Sequence, residues 1–317
     1  MPHEFNSGAF YQEKAWHGLG TVVQQKLNTA EFMKAAGKDW RVESYPLFNQ
    51  DGTKVEGWQQ LRRSDTQALL HVAKESWTPL QNVDSFAWFD PFIQDGDLYL
   101  SAAVALKGGR RVALTAEFSQ PIQADVVQGD TVQLKLVLYN SHDGSLAVGV
   151  KFTPIRVVCA NTLAMVTLGE QSKFSGEVHI SERSVRIKHT KNVNSNLTKV
   201  REQINLASRC FHEVALPQYK AMSQTALTTE LWRQYLTQLF EKDAVESVHE
   251  KLKAYDGLTE KLETGLGQNL PGVRGTLWAA YNAVTEWCKD KNNQDSLLFG
   301  TYNRTIQRAH EIALSLI

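Results

Sequence analysis

The chain has 317 residues, of which 42% are hydrophobic, and its 34 basic and 34 acidic residues give a formal net charge of zero. This length and apolar content suit one large or two medium globular domains. Zero net charge excludes a bulk electrostatic attraction to nucleic acid, membranes or acidic substrates, so any such partner needs a local patch of charge.

The cysteines and the amino-terminal residues predict a cytoplasmic protein. Cys159, Cys210 and Cys288 are odd in number and far apart, which favours neither disulfides nor a zinc site. The amino terminus lacks a secretory signal pattern, and no apolar run reaches the roughly 18 residues of a membrane span. Phosphate-loop, dinucleotide-binding, serine-hydrolase and zinc-protease motifs are also missing from the sequence, so we expect no cofactor and no metal.

The first half of the chain has the pattern of β-structure interrupted by short helices. "TAEFMKAAG" (29–37) predicts a helix with Thr29 as its N-cap and Gly37 as its terminator, and "NVDSFAWFDPFI" (82–93) predicts another, interrupted by Pro91. From about residue 40 to 157, apolar and polar positions alternate in short runs, as in antiparallel strands. Gly108-Gly109 and Asp143-Gly144 predict tight two-residue hairpin turns.

The pattern becomes helical after Pro154. "CANTLAMVTLGE" predicts a buried helix that starts at Asn161 or Thr162, and "GEVHISERSVRIKH" predicts a pair of strands. Further helices are predicted at 193–214, 228–240, 242–254, 275–290 and 302–316. The fold class is therefore α+β, with a β-rich domain at 1–190 and a helical domain or layer at 191–317.

Three polar groups raise the question of catalysis. Cys159, His142 and Asn161 could form a cysteine hydrolase site, but Cys159 lies in an apolar stretch where a free cysteine usually packs as a small hydrophobe. Asp143 beside His142 could act as an acid–base pair, although Asp-Gly is also the expected chemistry of a turn. Arg156 leaves two alternatives open: a structural clamp or a ligand-binding arginine.

Local basic segments favour an anionic partner. Residues 183–201 contain six lysines and arginines and no acidic residue, and "KGGRR" (107–111) adds three more cations. Cations on a hairpin or sheet edge can follow a phosphate backbone, and exposed aromatic rings can stack on bases. The predicted nucleic-acid contacts are Lys107, Arg110, Arg111, Arg156, Arg183, Arg186, Lys188, Lys191 and Lys199.

The motifs "AWHGLGTVV", "NSHDGS", "TPIRVVCANTL", "IKHTKN" and "GTLWAAYNAVTEW" followed by "LLFG" resemble, in order, the phage and plasmid family called domain of unknown function 932. The resemblance implies a role in DNA maintenance, recombination or evasion of host defence. The leading hypothesis is an ATP-independent DNA-binding protein, such as a single-strand annealing factor that forms rings or filaments. The alternatives are an interaction module that blocks a host defence or repair protein, and a hydrolase using Cys159 or the His142/Asp143 pair.

Overall fold

The fold is described from a computed structural model. The described residues are 8–12, 20–159, 161–164, 173–175, 178–181, 184–187, 197–240 and 248–317. They divide into two units, each built from separated stretches of chain. Unit 1 comprises Met1–Pro121, Lys135–Phe152 and Glu170–Leu206, and unit 2 comprises Ile122–Leu134, Thr153–Gly169 and Ala207–Ile317. The domain boundary predicted at residue 190 does not coincide with this division.

The strands of the described residues form two sheets. They are β1 (Gly8–Tyr11), β2 (Thr21–Val23), β3 (Val42–Phe48), β4 (Lys54–Arg63), β5 (Leu69–Lys74), β6 (Leu98–Leu106), β7 (Arg111–Phe118), β8 (Gln123–Val127), β9 (Asp130–Ser141), β10 (Val148–Arg156), β11 (Asn161–Thr162), β12 (Lys173–Ser175), β13 (Val178–Ser181) and β14 (Ser184–Ile187). The larger sheet has the order β12-β13-β14-β10-β9-β7-β6-β1-β2, with β11 on β10 and β8 on β9. The smaller sheet has the order β3-β4-β5. β9 and β10 each run from one unit into the other.

Two short helices lie among the strands and the others follow them in the second half of the chain, which confirms the predicted α+β class. They are α1 (Thr29–Ala35), α2 (Asp90–Gln94), α3 (Leu197–Cys210), α4 (Leu216–Gln224), α5 (Thr229–Phe240), α6 (Val248–Thr264), α7 (Leu277–Asp290), α8 (Gln294–Phe299) and α9 (Thr301–Ser315). α7 is the central helix of unit 2, because residues on all its sides are buried, including Trp278 and Tyr281. Within the described ranges, no helix combines the length and apolar character needed to cross a bilayer.

Several local predictions need correction. Asn28, not Thr29, caps α1, because the Asn28 side chain accepts from the Glu31 amide and the Glu31 carboxylate accepts from Asn28 in return. Gly37 does end the helix, with a positive φ of 66°. Pro91 lies in the first turn of α2 and does not interrupt it, since a proline there removes no helical hydrogen bond.

The predicted tight turns are longer. The helix predicted to start at Asn161 or Thr162 begins instead with the strand Asn161–Thr162, and its residues 165–170 lie outside the described residues. Leu106 pairs with Arg111, so four residues connect β6 to β7, and six residues connect β9 to β10. Asn161 pairs with Arg156 in the antiparallel β10–β11 ladder. The run of apolar residues there is compatible with a helix or a strand, and the pairing with β10 shows that it is a strand. The strand pair predicted at 176–189 is confirmed by β13 and β14.

Candidate nucleic-acid interface

Two turns of unit 1 lie side by side at one end of its larger sheet. They are the β6–β7 turn, which carries "KGGRR", and the β9–β10 turn, which carries "SHDGS". Arg111 pairs with Ser141 across β7 and β9, and the His142 amide donates to the Arg110 carbonyl at 2.7 Å. The fold thus joins two motifs that are 30 residues apart in the chain. We call residues 107–111 and 141–147 the hairpin-tip cluster.

The β6–β7 turn depends on glycine for its shape. Lys107, Gly108 and Gly109 have positive φ angles of 50°, 71° and 94°. A Cβ atom on Gly109 would lie 3.0 Å from both the Trp40 ring and Arg63 Nη1. Glycine therefore supplies the backbone conformation and also lets the turn approach these two side chains.

Arg63 holds the β6–β7 turn against the smaller sheet. Its guanidinium lies 4.4 Å from the Trp40 ring centroid and donates to the Gly108 carbonyl at 3.3 Å. It also forms a two-point ion pair with Asp65, at 2.9 and 2.6 Å. Because its donors are occupied in this way, Arg63 positions the turn and has few donors left for a ligand.

His142 is fully buried and belongs to a hydrogen-bonded network below the turns. The Asn82 amide donates to the carbonyls of Lys38 and Trp40 at 3.0 and 3.3 Å, which directs its oxygen to His142 Nε2 at 2.7 Å. Because that oxygen can only accept, Nε2 must carry the hydrogen. The interaction ties the β9–β10 turn to the chain that follows α1.

Asp143 is a charged turn residue. Burial opposes ionisation, but hydrogen bonds from Ser145 and the charge of Arg111 outweigh it, and the pKa of Asp143 is lowered. Arg111 Nε in turn donates to Ser145 Oγ at 3.0 Å. A carboxylate that stays ionised cannot serve as a general acid at neutral pH, so these contacts favour the turn-forming role of Asp143.

The cluster presents positive charge to solvent. Lys107 and Arg110 are exposed and Arg111 is half-buried. Arg110 is at the tip, and its side chain makes no hydrogen bond or ion pair with any residue that the structure describes. Lys38 lies beneath, almost fully buried, and burial together with the charge of Arg63 lowers its pKa to about 7 although Asp65 acts in the opposite direction. An anionic ligand is the natural complement of this surface.

Comparison with known proteins identifies the family. The family model described as domain of unknown function (DUF932) matches residues 69–314. The chain belongs to this family. No curated protein and no solved structure matches it. The DUF932 match includes the hairpin-tip cluster, whereas the "AWHGLGTVV" motif, Trp40 and Arg63 lie before its first residue.

The other nucleic-acid contacts predicted for this DUF932 chain lie outside the hairpin-tip cluster. Arg186 lies in β14, opposite His179 and Gly149, and Lys199 lies in α3; their side chains are outside the description. Arg183, Lys188 and Lys191 fall outside the described residues. Of the predicted contacts, Lys107, Arg110 and Arg111 are brought together by the described part of the chain. Apart from Arg156, the assignment of all these residues to nucleic acid stays a prediction.

The prediction that Arg156 contacts nucleic acid is wrong, because Arg156 is fully buried in unit 2. Its guanidinium pairs with both carboxylate oxygens of Asp130, at 2.7 and 2.9 Å, and donates to the carbonyls of Leu266 and Gly267 at 3.2 and 2.9 Å. Trp278 Nε1 donates to Asp130 at 2.7 Å. Arg156 is therefore the structural clamp, and it attaches the "GLGQNLPG" loop to β10.

The hydrolase hypothesis required accessible side chains. Cys159 has only 3% of its surface exposed and packs against Arg156, and His142 is fully buried. Asn161 is in a strand and not at a helix start. Within the described ranges, no group of three or more histidine, cysteine or acidic side chains could hold a metal ion. These positions oppose a nucleophilic role for Cys159.

Substitution of Gly109 should destabilise this DUF932 protein more than substitution of Gly108. Both have positive φ, but a Cβ on Gly108 meets nothing within 4 Å. We expect Gly108→Ala to lower the free energy of unfolding by ~1 kcal/mol from backbone strain, and Gly109→Ala by about 2 to 3 kcal/mol because Trp40 and Arg63 must also move. Urea unfolding of the two variants measures both free energies of unfolding. Equal losses would mean that the turn does not pack closely on Trp40.

Proposed function

We propose that the protein binds nucleic acid, with single-stranded DNA favoured, through the hairpin-tip cluster of unit 1. The observation that carries the proposal is the exposed Arg110 guanidinium, without a protein partner in the described part of the chain, between Lys107 and Arg111. Exposed cations on a rigid turn are suited to phosphate oxygens, which need no sequence-specific geometry. Trp40, Arg63 and His142 provide the rigidity, because they fix the backbone of both turns.

The wider role follows from the family resemblance and is part of the same proposal. A phage or plasmid protein that binds single strands without hydrolysing ATP would serve recombination or strand annealing. Such a protein would assemble on DNA as a ring or filament. The basic stretch at 183–201 would add phosphate contacts to those of the hairpin-tip cluster.

The salt dependence of binding tests the proposal. The three phosphate contacts of the hairpin-tip cluster by themselves predict that affinity for a single strand falls by at least about 20-fold between about 50 and 200 mM salt. Arg110→Gln should weaken binding by about three- to tenfold for every sequence and reduce the salt dependence by roughly one contact, because a phosphate contact carries no sequence information. Fluorescence anisotropy with labelled oligonucleotides measures both effects.

The matched control is Arg274→Gln, which removes an exposed arginine beside a glycine in a loop of unit 2. It should leave affinity within about twofold of the unchanged protein, since it is not part of the cluster. If both variants bind equally well, the cluster is not the site. If the unchanged protein binds no nucleic acid at low salt, the proposal fails.

A protein-interaction role is the second candidate, and one feature of unit 2 favours it. Val157, Val158 and Leu266 are 51%, 42% and 55% exposed, although the Arg156 clamp holds the backbone beside them firmly. A rigid, exposed apolar group is typical of a contact surface for another protein. Absence of nucleic-acid binding together with a defined host partner would favour this role over the first.

A further inference from the structure

The smaller sheet of unit 1 exposes aromatic rings on one face. Along β4, Gln59 and Leu61 are buried on the inner face, whereas Trp58 on the opposite face is 41% exposed. Tyr45 on β3 is 37% exposed. Exposed large rings on a sheet are unusual in a surface that contacts only water. We call the face that carries Tyr45, Trp58, Gln60, Arg62 and Lys74 the outer sheet face.

The register of the strands places the two rings as diagonal neighbours. Tyr45 lies opposite Gln60, and Trp58 is two residues from Gln60 on the same strand and face. Diagonal neighbours on a sheet face are about 7 to 8 Å apart, which is close enough for two successive unstacked bases to contact one ring each.

The polar groups around the rings are already hydrogen-bonded within the protein. Tyr45 OH donates to Glu43 at 2.6 Å, Gln60 Nε2 donates to the Pro46 carbonyl at 2.9 Å, and Arg62 Nε donates to Gln60 Oε1 at 2.9 Å. The ring faces are therefore the main groups left to contact a ligand. Stacking on them would accept every base, because every base has a π-face.

Two cations flank the rings without a carboxylate partner in the part of the chain that the structure describes. Arg62 Nη1 donates to the Gln67 carbonyl at 2.8 Å, and Lys74, directly opposite Trp58, is exposed. The nearby carboxylates of Glu56 and Glu75 are both paired with Lys54, at 3.2 and 3.5 Å. Glu43, directly opposite Arg62 on this face, accepts from Tyr45 OH, and with it the formal charge of the face is balanced. The cations beside the rings remain available to phosphates.

The outer sheet face ends beside the hairpin-tip cluster. From Trp58 to Arg63, β4 covers roughly 17 Å at the usual rise of a strand. Arg63, the last residue of β4, alternates to the inner face, where it donates to the Gly108 carbonyl in the β6–β7 turn. A strand of nucleic acid that contacts Arg110 would pass the end of β4 at Arg62 to reach Trp58 within the same unit.

We propose that the outer sheet face is a base-stacking surface for single-stranded nucleic acid, with Trp58 and Tyr45 contacting bases and Arg62 and Lys74 contacting phosphates. This inference rests on the proposed function and specifies its substrate class. Paired bases in a duplex cannot reach the rings, so the surface selects unpaired strands.

The test compares single-stranded and duplex ligands with ring variants. Trp58→Ala should weaken binding of an oligothymidylate by roughly tenfold, while duplex affinity changes by less than about twofold. Trp58→Phe keeps a stacking face and should restore most of the affinity. Leu252→Ala is the control, because it removes an exposed apolar side chain from α6 of unit 2.

The outcomes separate this inference from the proposed function. If Trp58→Ala binds the oligothymidylate as tightly as the unchanged protein while Arg110→Gln binds more weakly, stacking is wrong and the cluster remains the site. If Trp58→Ala changes only the oligomeric mass, the face is a protein contact and the inference is overturned. Because Trp58 is partly exposed, each variant should remain folded at the assay temperature, which a thermal unfolding curve checks.

Discussion

Asp130→Asn should lower the free energy of unfolding by about 3 to 5 kcal/mol, because it leaves the buried Arg156 guanidinium without a counter-charge. Asp130 and Arg156 are both fully buried, so solvent does not screen the charge that remains on the guanidinium. Gly267 adds to the constraint, since its φ of 75° and its close approach to Arg156 leave the loop little room to adapt. Urea unfolding followed by tryptophan fluorescence gives the midpoint and slope.

Arg233→Met is the matched control, because Arg233 is an exposed arginine of unit 2 that pairs with Glu230 at 2.7 Å. Exposed ion pairs contribute little to stability, so Arg233→Met should lower the free energy of unfolding by less than about 1 kcal/mol. The double variant Asp130→Leu with Arg156→Met removes both charges and should be more stable than Asp130→Asn alone. A loss from Asp130→Asn as small as that of the control would contradict the clamp.

Lys38→Met should raise the free energy of unfolding near neutral pH, by an amount on the order of 4 kcal/mol. Burial and the neighbouring Arg63 lower the pKa of Lys38 from 10.5 to about 7. The unfolded chain therefore binds a proton at Lys38 more strongly than the folded protein does, and this difference lowers the free energy of unfolding. A buried methionine of similar length has no such cost.

The sign of the pH dependence follows from the two pKa values of Lys38. Above about pH 10.5 the amine is neutral in both the folded and unfolded states, and the lowered pKa has no effect on stability. Below about pH 7 the amine is protonated in both states, and the full loss in the free energy of unfolding is present. Between them, the unchanged protein should gain about 1.4 kcal/mol per pH unit relative to Lys38→Met. Lys34→Met, at an exposed lysine of α1, should show no such trend. Parallel stability curves for the protein and Lys38→Met would contradict the lowered pKa.

The sequence was informative where local chemistry decides the structure. Alternating strands, the Gly37 helix end and the positive φ angles of Gly108 and Gly109 all follow from patterns within a few residues. The α+β class and the family were also predictable, since both depend on long or ordered patterns. Of the candidate site, the sequence alone indicated the basic "KGGRR" turn.

Features that depend on distant partners were not predictable. The ion pair of Arg156 depends on Asp130, which is 26 residues away, and on a loop that follows α6. The packing of Trp40 and Arg63 on Gly109 depends on two sheets meeting, which no local motif reports. The strand at Asn161 was predicted as a helix because its apolar run fits both states and only pairing with β10 distinguishes them.

We propose that unit 1 binds single-stranded nucleic acid along the hairpin-tip cluster and the outer sheet face. Photocrosslinking tests it most directly, with an oligothymidylate carrying iododeoxyuridine, which reacts with aromatic rings in contact with the base. We predict crosslinked peptides from β3 and β4, containing Tyr45 or Trp58, whose yield falls in Arg110→Gln. Crosslinks confined to unit 2, or none at low salt, would contradict the claim.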